Sequence, residues 1–373
     1  MSARDWRQRF AGAQQRLLAD LEALVTRESP SDDAARVSIL AAWIVERLRA
    51  AGVRAETRPS PPRGDAVIAS LGNGGGTLLL GHHDTVWPVG TLAEIPFRCE
   101  ADSATGPGVF DMKAGIAVAV SVLEALAARP DPPPVSLLLT PDEELGTQAS
   151  RELLLETALR HRRVLVLEPS LDGAAKIARK GTGSFEVRFA GRAAHAGLEP
   201  EKGASALIEL ARFALFAAGL ADAEQGTTVV PTLAASGSKP NVVPERATLT
   251  LDARVWSQPE ARRLETALLA YRPADGRVGV ELAGGFDRPP LEPTPEAGAL
   301  FEQARAIASE LGFELGGARV GGASDGNLTA AAGVATLDGL GPRGYGAHAR
   351  HEHVILSDLP RRAALVARLV EGV

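Results

Sequence analysis

The 373-residue sequence has a single cysteine, no excess of basic residues and no long apolar run. With Cys99 alone, the chain cannot form an intramolecular disulfide, which fits a reducing compartment. A net charge of −6 without a basic cluster argues against nucleic-acid binding. No stretch reaches the roughly 20 apolar residues that span a bilayer, and the charged N-terminal segment does not have the apolar core of a signal peptide. We therefore expect a cytoplasmic protein with neither a membrane nor a nucleic-acid partner.

The chain is long enough for two domains. Up to residue 180, helical patterns alternate with short apolar runs such as VSLLLT and VLVLEP, which predicts an α/β fold whose mostly parallel sheet is covered by helices. From Gly181 onward, segments such as ATLTLDARV alternate between apolar and polar residues, as half-buried antiparallel strands do. The α/β pattern then resumes. We predict one discontinuous domain, residues 1–180 and 289–373, with an α+β domain inserted at 181–288.

The first 50 residues predict two helices. Spacings near three and four place Trp6, Phe10, Leu17, Leu21 and Leu24 on one face of a single amphipathic helix. The second helix is expected to begin near Ser31 and Asp32, either of which can cap it, and to end by Gly52.

Histidines and acids stand where the apolar runs end. They are His82, His83 and Asp84 after LLLG, Asp142, Glu143 and Glu144 after VSLLLT, and Glu168 after VLVL. Asp111, in GPGVFDMKAG, is also expected at a strand end, although this segment alone equally fits a glycine-rich turn that leads into a helix. Ligands of open α/β sheets bind at the carboxyl ends of the strands, so these side chains are expected at one edge. Carboxylates that lie close together without counter-ions repel one another and raise one another's pKa values. Metal ions bound among them offset this repulsion. Taken singly, a strand-end histidine is more often structural, and an isolated DEE is usually a solvated turn.

Eight segments, in order, resemble the dizinc metallopeptidases of the aminoacylase and glutamate carboxypeptidase family. They are GHHDTVWP, GPGVFDMKAG, TPDEELG, LEPS, GRAAHAG, NVVPERATLTLDARV, GGASDGN and GAHARHEHV. The resemblance runs from about residue 80 to residue 355. It identifies the inserted domain as a lid or dimerisation domain, and it implies a homodimer formed through that domain.

The resemblance implies two zinc ions per subunit, for which cobalt or manganese could substitute. Asp111 would bridge the two ions. His82 and Glu168 would complete one site, and Glu144 and His348 would complete the other.

The resemblance also implies roles for two further residues at the strand ends. Asp84 would orient His82 through its second ring nitrogen. Glu143 would act as the general base, taking a proton from water and delivering it to the departing amine. His83 falls on a variable position of the motif and is expected to be a bystander.

The remaining matched residues would bind the substrate. His195 would reach the active site of the partner subunit and stabilise the tetrahedral oxyanion. Asn241 and Arg254 would bind the substrate carboxylate, and GGASDGN, through Gly322 and Ser324, would offer it backbone N–H groups. Without the resemblance, His195 is an ordinary loop histidine and Arg254 a surface charge on a strand. His351 and His353 are expected to be structural or to support the ligands.

The expected reaction is zinc-dependent hydrolysis of an amide or peptide bond beside a free α-carboxylate, releasing a C-terminal amino acid such as glutamate from an N-acyl or peptidyl substrate. GGASDGN, LDGLGP and DRPPLEPT resemble the glutamate carboxypeptidase branch most. Two alternatives share the same metal chemistry: an N-acyl-amino-acid deacylase of acetylornithine deacetylase or succinyl-diaminopimelate desuccinylase type, and a small dipeptidase. A non-catalytic protein on the same fold would be expected to have lost Glu143 or a ligand, and none is missing.

Overall fold

The computed structural model describes residues 1–372. Its helices are, in chain order, α1 (Ala3–Gly12), α2 (Gln14–Val25), α3 (Ala34–Ala50), α4 (Thr91–Glu94), α5 (Ala114–Ala127), α6 (Arg151–Leu159), α7 (Ala206–Ala218), α8 (Gln258–Leu269), α9 (Pro295–Glu310), α10 (Asp325–Ala331) and α11 (Leu359–Glu371). Its strands are β1 (Arg54–Pro59), β2 (Asp65–Leu71), β3 (Thr77–His82), β4 (Arg98–Glu100), β5 (Ser103–Thr105), β6 (Val135–Thr140), β7 (Arg163–Val166), β8 (Ala175–Arg179), β9 (Gly181–Ala190), β10 (Thr228–Ser236), β11 (Arg246–Val255), β12 (Gly279–Arg288), β13 (Gly317–Val320), β14 (Ala335–Leu337), β15 (Gly344–Tyr345) and β16 (His353–Ile355).

The chain divides into two compact units. The first contains Met1–Ile177, Pro293–Arg319 and the described chain from Ser324 onward, and the second contains Ala178–Glu292 with Val320–Ala323. The predicted insertion, 181–288, lies inside the second unit. The sequence pattern does not indicate that Val320–Ala323 accompanies it. That the second unit is a lid or a dimerisation domain stays a prediction.

A six-stranded sheet in the order β1-β2-β6-β3-β7-β14 forms the centre of the first unit. The pairs β6–β3, β3–β7 and β7–β14 are parallel, whereas β1–β2 and β2–β6 are antiparallel. Strand β3 lies in the middle, and all six of its residues are buried. This burial explains why β3 is a continuous apolar run up to its last residue, His82. The predicted mixed α/β fold with a mostly parallel sheet is confirmed.

Helix α5 lies between the central sheet and other helices and is buried along most of its length. Its small residues allow a close approach to the sheet. A Cβ on Gly115 would lie 2.1 Å from the carbonyl oxygen of Leu167, so only glycine fits there. Because Glu168 follows Leu167, this contact fixes a strand end that carries a candidate ligand.

The prediction of one N-terminal helix is wrong. Residues 3–25 form α1 and α2, separated at Ala13, whose φ of −94° and ψ of 2° are not helical. Gly12, a poor helix former, precedes the break, and the amide of Ala13 donates to the carbonyl of Phe10 in a tighter final turn. All five apolar side chains named from the pattern are nevertheless buried.

The cap of α3 also differs from the expectation. Asp33, rather than Ser31 or Asp32, is the N-cap, and its carboxylate accepts the N–H of Arg36. Ser31 is buried, and its hydroxyl donates to Asp84 Oδ2 at 2.7 Å. The Ser31 hydroxyl therefore contacts the strand-end cluster and does not cap α3.

The second unit contains an antiparallel sheet in the order β10-β11-β9-β12. As the alternating patterns predict, Phe185, Val187 and Phe189 of β9 and the apolar residues of β11 are buried. Helices α7 and α8 supply Phe213 and Leu264 to the same core. This unit thus has a separate hydrophobic core, consistent with an α+β architecture.

Across residues 1–372, no helix combines the length and the hydropathy required to cross a bilayer.

Candidate metal centre and active site

The strand-end histidine and acids of the first unit lie at the carboxyl ends of parallel strands. His82 is the last residue of β3, and Glu168 follows β7 by two residues. Glu144 lies in the short 3-10 turn Glu143–Leu145, which begins three residues after the end of β6. Because β3 is parallel to β6 and to β7, these ends share one edge of the sheet.

Asp111 reaches the same cluster from an irregular turn, Val109–Lys113, that precedes α5. The expectation that Asp111 follows a strand is therefore wrong, and the alternative of a glycine-rich turn that leads into a helix is confirmed. Gly108, at the start of the turn, has φ +70°, and a Cβ there would lie 2.5 Å from the Thr85 side chain. Glycine therefore meets both the left-handed backbone and the close packing that bring the turn against the segment after β3.

The two carboxylate oxygens of Asp111 face two different histidines. Oδ1 lies 3.3 Å from His82 Nε2, and Oδ2 lies 3.5 Å from His348 Nε2. On one side, Glu168 Oε1 lies 3.4 Å from His82 Nε2. On the other side, Glu144 Oε1 lies 3.1 Å from His348 Nε2. The structure thus brings all five predicted ligands together, in two groups that share Asp111.

His348 is placed by an unusual backbone conformation. Its φ of +62° lies in the left-handed region, which non-glycine residues rarely adopt. Its side chain is about half exposed, unlike that of His82, which is buried. Backbone strain of this kind concentrates at functional sites because the surrounding structure must hold it in place.

The electrostatics of the cluster suit a cation. Burial opposes protonation of His82, but the carboxylates around it raise its pKa well above the ordinary value. The hydrogen bond with Glu144 raises the pKa of His348 to about 9. Burial raises the pKa of Glu144 itself.

The donor set tests whether a metal fits. One ligand atom each from His82, Asp111 and Glu144 lie within 4.8 Å of one another. Carboxylates that favour positive charge on two imidazoles also favour divalent cations, which compete with protons for the same nitrogen atoms. Imidazole and carboxylate ligands together suit zinc and its first-row neighbours. The residues therefore fit a metal centre.

Asp84 connects the cluster to the turn that carries the predicted base. Its backbone carbonyl oxygen and its Oδ1 lie 3.0 and 3.3 Å from His82 Nδ1, the ring nitrogen that faces away from the other carboxylates. The backbone N–H groups of Glu143 and Glu144 donate to the two oxygens of Asp84 at 3.2 and 3.3 Å. Burial alone would raise the pKa of Asp84, but the hydrogen bonds from His82 and Ser31 lower it below its usual value.

His83 has a different environment from its neighbour. It is fully buried, and burial lowers its pKa to about 4, so that the ring is neutral. His83 is not part of the group formed by His82, Asp111 and Glu144.

In the second unit, His195 lies beside Asn241. His195 forms an isolated bridge with Val242, and the carbonyl of Asn241 accepts the N–H of Ala196 at 2.9 Å. The Nδ1 atom of His195 accepts the N–H groups of Gly197 and Leu198 at 3.1 and 3.2 Å. Since Nδ1 is an acceptor, the proton of the neutral ring lies on Nε2. His195 is exposed and can offer this N–H as a donor.

Arg254 and Gly322 lie elsewhere in the second unit. The guanidinium of Arg254 forms a two-pronged contact with Asp252 at 3.0 Å and donates to the carbonyl of Gly321 at 3.2 Å. The carbonyl of Gly322 accepts Arg179 Nη1 at 3.1 Å. Arg254 is thus oriented by a carboxylate on its own strand.

Ser324, in the first unit, is buried at the start of α10. Its hydroxyl donates to Asp338 at 2.5 Å and accepts the N–H of Gly326, and its own N–H donates to Asn327. These contacts give Ser324 a capping role. They use the backbone N–H that the sequence interpretation offered to the substrate, as well as the hydroxyl. The substrate-binding role of Ser324 stays a prediction.

Two residues of the site receive no functional role from sequence reasoning. Ser31 supports Asp84, as described above. Glu352 is buried, and its carboxylate contacts the turn that carries Asp111. The only signal for Glu352 in the sequence is its position in HEHV, shortly after His348. His353 packs near the ring of Tyr345, with ring centroids 5.6 Å apart.

Comparison with known protein families gives a match over most of the chain. The family described as peptidase family M20/M25/M40 matches residues 78–372. Carboxypeptidase G2 of Pseudomonas sp. is 32% identical over 368 residues, which cover 95% of this chain and 88% of that protein. Acetylornithine deacetylase of Proteus mirabilis is 32% identical over 179 residues, or 46% of this chain and 45% of that enzyme.

Solved structures share the fold. Aminopeptidase PepT of Bacillus cereus aligns with a TM-score of 0.79 at 20% identity, covering 96% of this chain and 98% of that chain. The YXEP protein of Bacillus subtilis, a dinuclear metal-binding peptidase, aligns with a TM-score of 0.69 at 16% identity, covering 96% and 98%. At such identities the likeness concerns the fold alone.

Proposed function

The chain belongs to peptidase family M20/M25/M40, and we propose that it is a dizinc hydrolase that cleaves an amide or peptide bond beside a free α-carboxylate. The released product is a C-terminal amino acid such as glutamate, and the substrate is an N-acyl amino acid or a small peptide. The similarity to carboxypeptidase G2 along 88% of that protein supports the carboxypeptidase assignment. The similarity to acetylornithine deacetylase, over about half of each chain, keeps an N-acyl-amino-acid deacylase as the second candidate.

The position of Asp111 carries this proposal. Its two oxygens lie within 3.3 and 3.5 Å of the Nε2 atoms of His82 and His348, respectively. A carboxylate between two imidazoles, each of which has one further carboxylate beside it, is a donor set that would suit two metal ions with Asp111 shared between them. His82, Asp111 and Glu168 would hold one ion, and Asp111, Glu144 and His348 the other.

When bound, the metal ions supply Lewis acidity, which polarises a carbonyl group and makes a water molecule more acidic. The chain's own groups then move the proton. Glu143 takes it from the attacking water and delivers it to the departing amine. Asp84 contacts His82 Nδ1 through its carbonyl oxygen at 3.0 Å and its carboxylate at 3.3 Å, and its carboxylate accepts the backbone N–H of Glu143 at 3.2 Å. One buried residue thus aligns a ligand with the base.

His195 is proposed to stabilise the oxyanion of the tetrahedral intermediate. This role needs an N–H donor on a neutral or protonated ring. The two backbone N–H groups that donate to Nδ1 support the tautomer with the proton on Nε2. We propose that the protein is a homodimer formed through the second unit and that His195 acts in the active site of the partner subunit.

Metal removal and substrate screening test the proposal. Protein stripped of metal by a chelator is expected to be inactive, and added zinc, cobalt or manganese is expected to restore hydrolysis. Among folate-like acyl-glutamates, N-acetyl amino acids and dipeptides, the acyl-glutamates should react fastest, with release of glutamate as the readout. Fastest hydrolysis of N-acetylornithine would instead establish the deacylase function. Full activity in the chelated protein would contradict any metal-dependent reaction.

The Arg254→Ala variant tests recognition of the carboxylate. Asp252 orients the guanidinium of Arg254, which can then donate a charge-assisted hydrogen bond to the substrate carboxylate. Loss of such a bond costs about 1.5–3 kcal/mol, so KM for carboxylate substrates should rise roughly 10- to 150-fold with little change in kcat. Steady-state kinetics measure this effect.

Arg246→Ala is the matched control for this variant. Arg246 is exposed on the same strand, β11, and an even number of residues from Arg254, so it lies on the same face. The Arg246→Ala variant should leave KM for carboxylate substrates unchanged. An unchanged kcat/KM in Arg254→Ala would show that the carboxylate is bound elsewhere, and Arg288 would be the next candidate.

A further inference from the structure

Glu352 is buried, and its carboxylate accepts four hydrogen bonds. Oε1 accepts the backbone N–H groups of Phe110 and Asp111 at 2.9 and 3.0 Å. Oε2 accepts the backbone N–H of Gly108 at 3.0 Å and the indole N–H of Trp87 at 2.8 Å. Each oxygen therefore receives two donors, which matches the roughly four lone-pair positions of an ionised carboxylate.

These contacts join three separate segments of the chain, each of which carries a candidate ligand. Trp87 lies five residues after His82, in the segment that leaves β3. Asp111 is itself a candidate ligand, and its own N–H is one of the donors. Glu352 lies four residues after His348. One carboxylate thus fixes the distances among segments that are far apart along the sequence.

We propose that Glu352 is a positioning residue of the metal centre, which holds the turn of Asp111 in the arrangement that binds metal. The inference rests on the proposed function because it takes the cluster around Asp111 to be a metal site. Glu352 itself does not need to contact metal or substrate to act in this way. Its effect passes through the backbone of Gly108, Phe110 and Asp111.

Glutamine is an informative replacement because it preserves size and removes the charge. Its amide has one oxygen and one NH₂ group, and NH₂ is a donor only. In either orientation, the NH₂ group would face two N–H donors that now bind an oxygen. One pair of contacts would be lost, and the turn would have to move to avoid the apposed donors. The remaining bonds would also lack the strength that a charged acceptor gives.

Glu28 provides a matched control in the same unit. Its carboxylate accepts the backbone N–H groups of Gly90 and Leu92 at 2.9–3.0 Å, so it also holds a loop by its main chain. That loop carries none of the five predicted ligands. Glu28→Gln therefore measures how the loss of carboxylate–backbone hydrogen bonds changes stability when no predicted metal ligand is affected.

The test is the zinc affinity of metal-stripped protein, measured by competition with a chromophoric chelator. Residues that support metal ligands typically change metal affinity by 10- to 100-fold, so the zinc Kd of Glu352→Gln should rise by roughly that factor. The zinc Kd of Glu28→Gln should equal that of the wild type, even where its thermal unfolding temperature falls. Circular dichroism establishes that each variant is folded.

The outcomes separate the inference from the proposed function. A wild-type protein that binds no zinc contradicts the proposed function. A wild-type protein that binds zinc, together with a folded Glu352→Gln of equal affinity, overturns the positioning role. Trp87→Phe removes one donor and leaves the carboxylate charged, so it is expected to show a smaller loss in the same direction. If Glu352→Gln does not fold, an unchanged zinc Kd in Trp87→Phe overturns the inference instead.

Discussion

The Glu143→Gln variant is expected to lose at least about 10²-fold in kcat, the lower end of what general acid–base catalysis contributes. Glutamine has nearly the shape of glutamate but does not take a proton from water, so the variant lacks its base. The backbone N–H of Glu143 donates to Asp84 at 3.2 Å, and this contact does not depend on the side chain. The turn, the five predicted ligands and the bound metal should therefore be preserved.

The measurement pairs kcat at saturating substrate with elemental analysis of metal in the same preparation. Glu156→Gln is the matched control, because Glu156 is an exposed glutamate on α6 of the same unit. It should keep wild-type activity and metal content. Asp111→Ala provides the opposite contrast, since it removes oxygen atoms from both proposed sites and should lose metal. An empty site in Glu143→Gln would reassign Glu143 as a ligand, and full occupancy in Asp111→Ala would contradict the bridge.

The strand ends of the site could be predicted from the sequence because their signal is local. A strand buried on both faces is a short apolar run, and the first polar residues after it mark the edge of the sheet. This pattern located His82, Glu144 and Glu168 correctly at the ends of β3, β6 and β7. Asp111 was expected at a strand end as well, but it lies in the turn before α5. The association of His348 with the cluster rested on the ordered motifs of the family, because no local pattern relates such distant positions.

Contacts between distant residues explain what the sequence did not predict. Ser31 was interpreted as a helix cap, but its partner Asp84 is 53 residues away. Glu352 had no assigned role, and the turn it holds is 241 residues away at Asp111. A serine near a helix start and an acid in a loop have many local uses. Which contact such a residue makes depends on the tertiary structure and does not follow from its neighbours in the sequence.

The break between α1 and α2 has a different cause. The apolar spacing continues across Ala13, so periodicity alone predicts one helix, and the five apolar side chains are buried in either case. The backbone leaves the helical conformation after Gly12, where the intrinsic cost of a helix is about 1 kcal/mol higher than for alanine. Periodicity reports which face is buried, and it is insensitive to a local break that preserves that face.

The His195→Ala variant is expected to lose roughly 10²–10³ in kcat with normal metal content, as removal of one oxyanion donor typically does. The donor in question is the Nε2–H of His195, since Nδ1 is occupied by two backbone N–H groups. If His195 acts in the partner's active site, each site requires Glu143 from one chain and His195 from the other. Two inactive variants should then complement each other in one dimer.

Co-expression of His195→Ala and Glu143→Gln chains with different affinity tags, followed by two purification steps, yields only mixed dimers. One site of each mixed dimer combines the intact Glu143 of the first chain with the intact His195 of the second, and the other site lacks both. Because a twofold dimer has two equivalent sites, activity should return to about half that of the wild type. Doubly tagged His195→Ala dimers, purified in the same way, should stay inactive. Mixed dimers no more active than their parents would show that His195 acts within its own chain or not at all. If no dimer can be isolated and His195→Ala is inactive, His195 acts within its own chain, because a monomer has no partner to supply the donor.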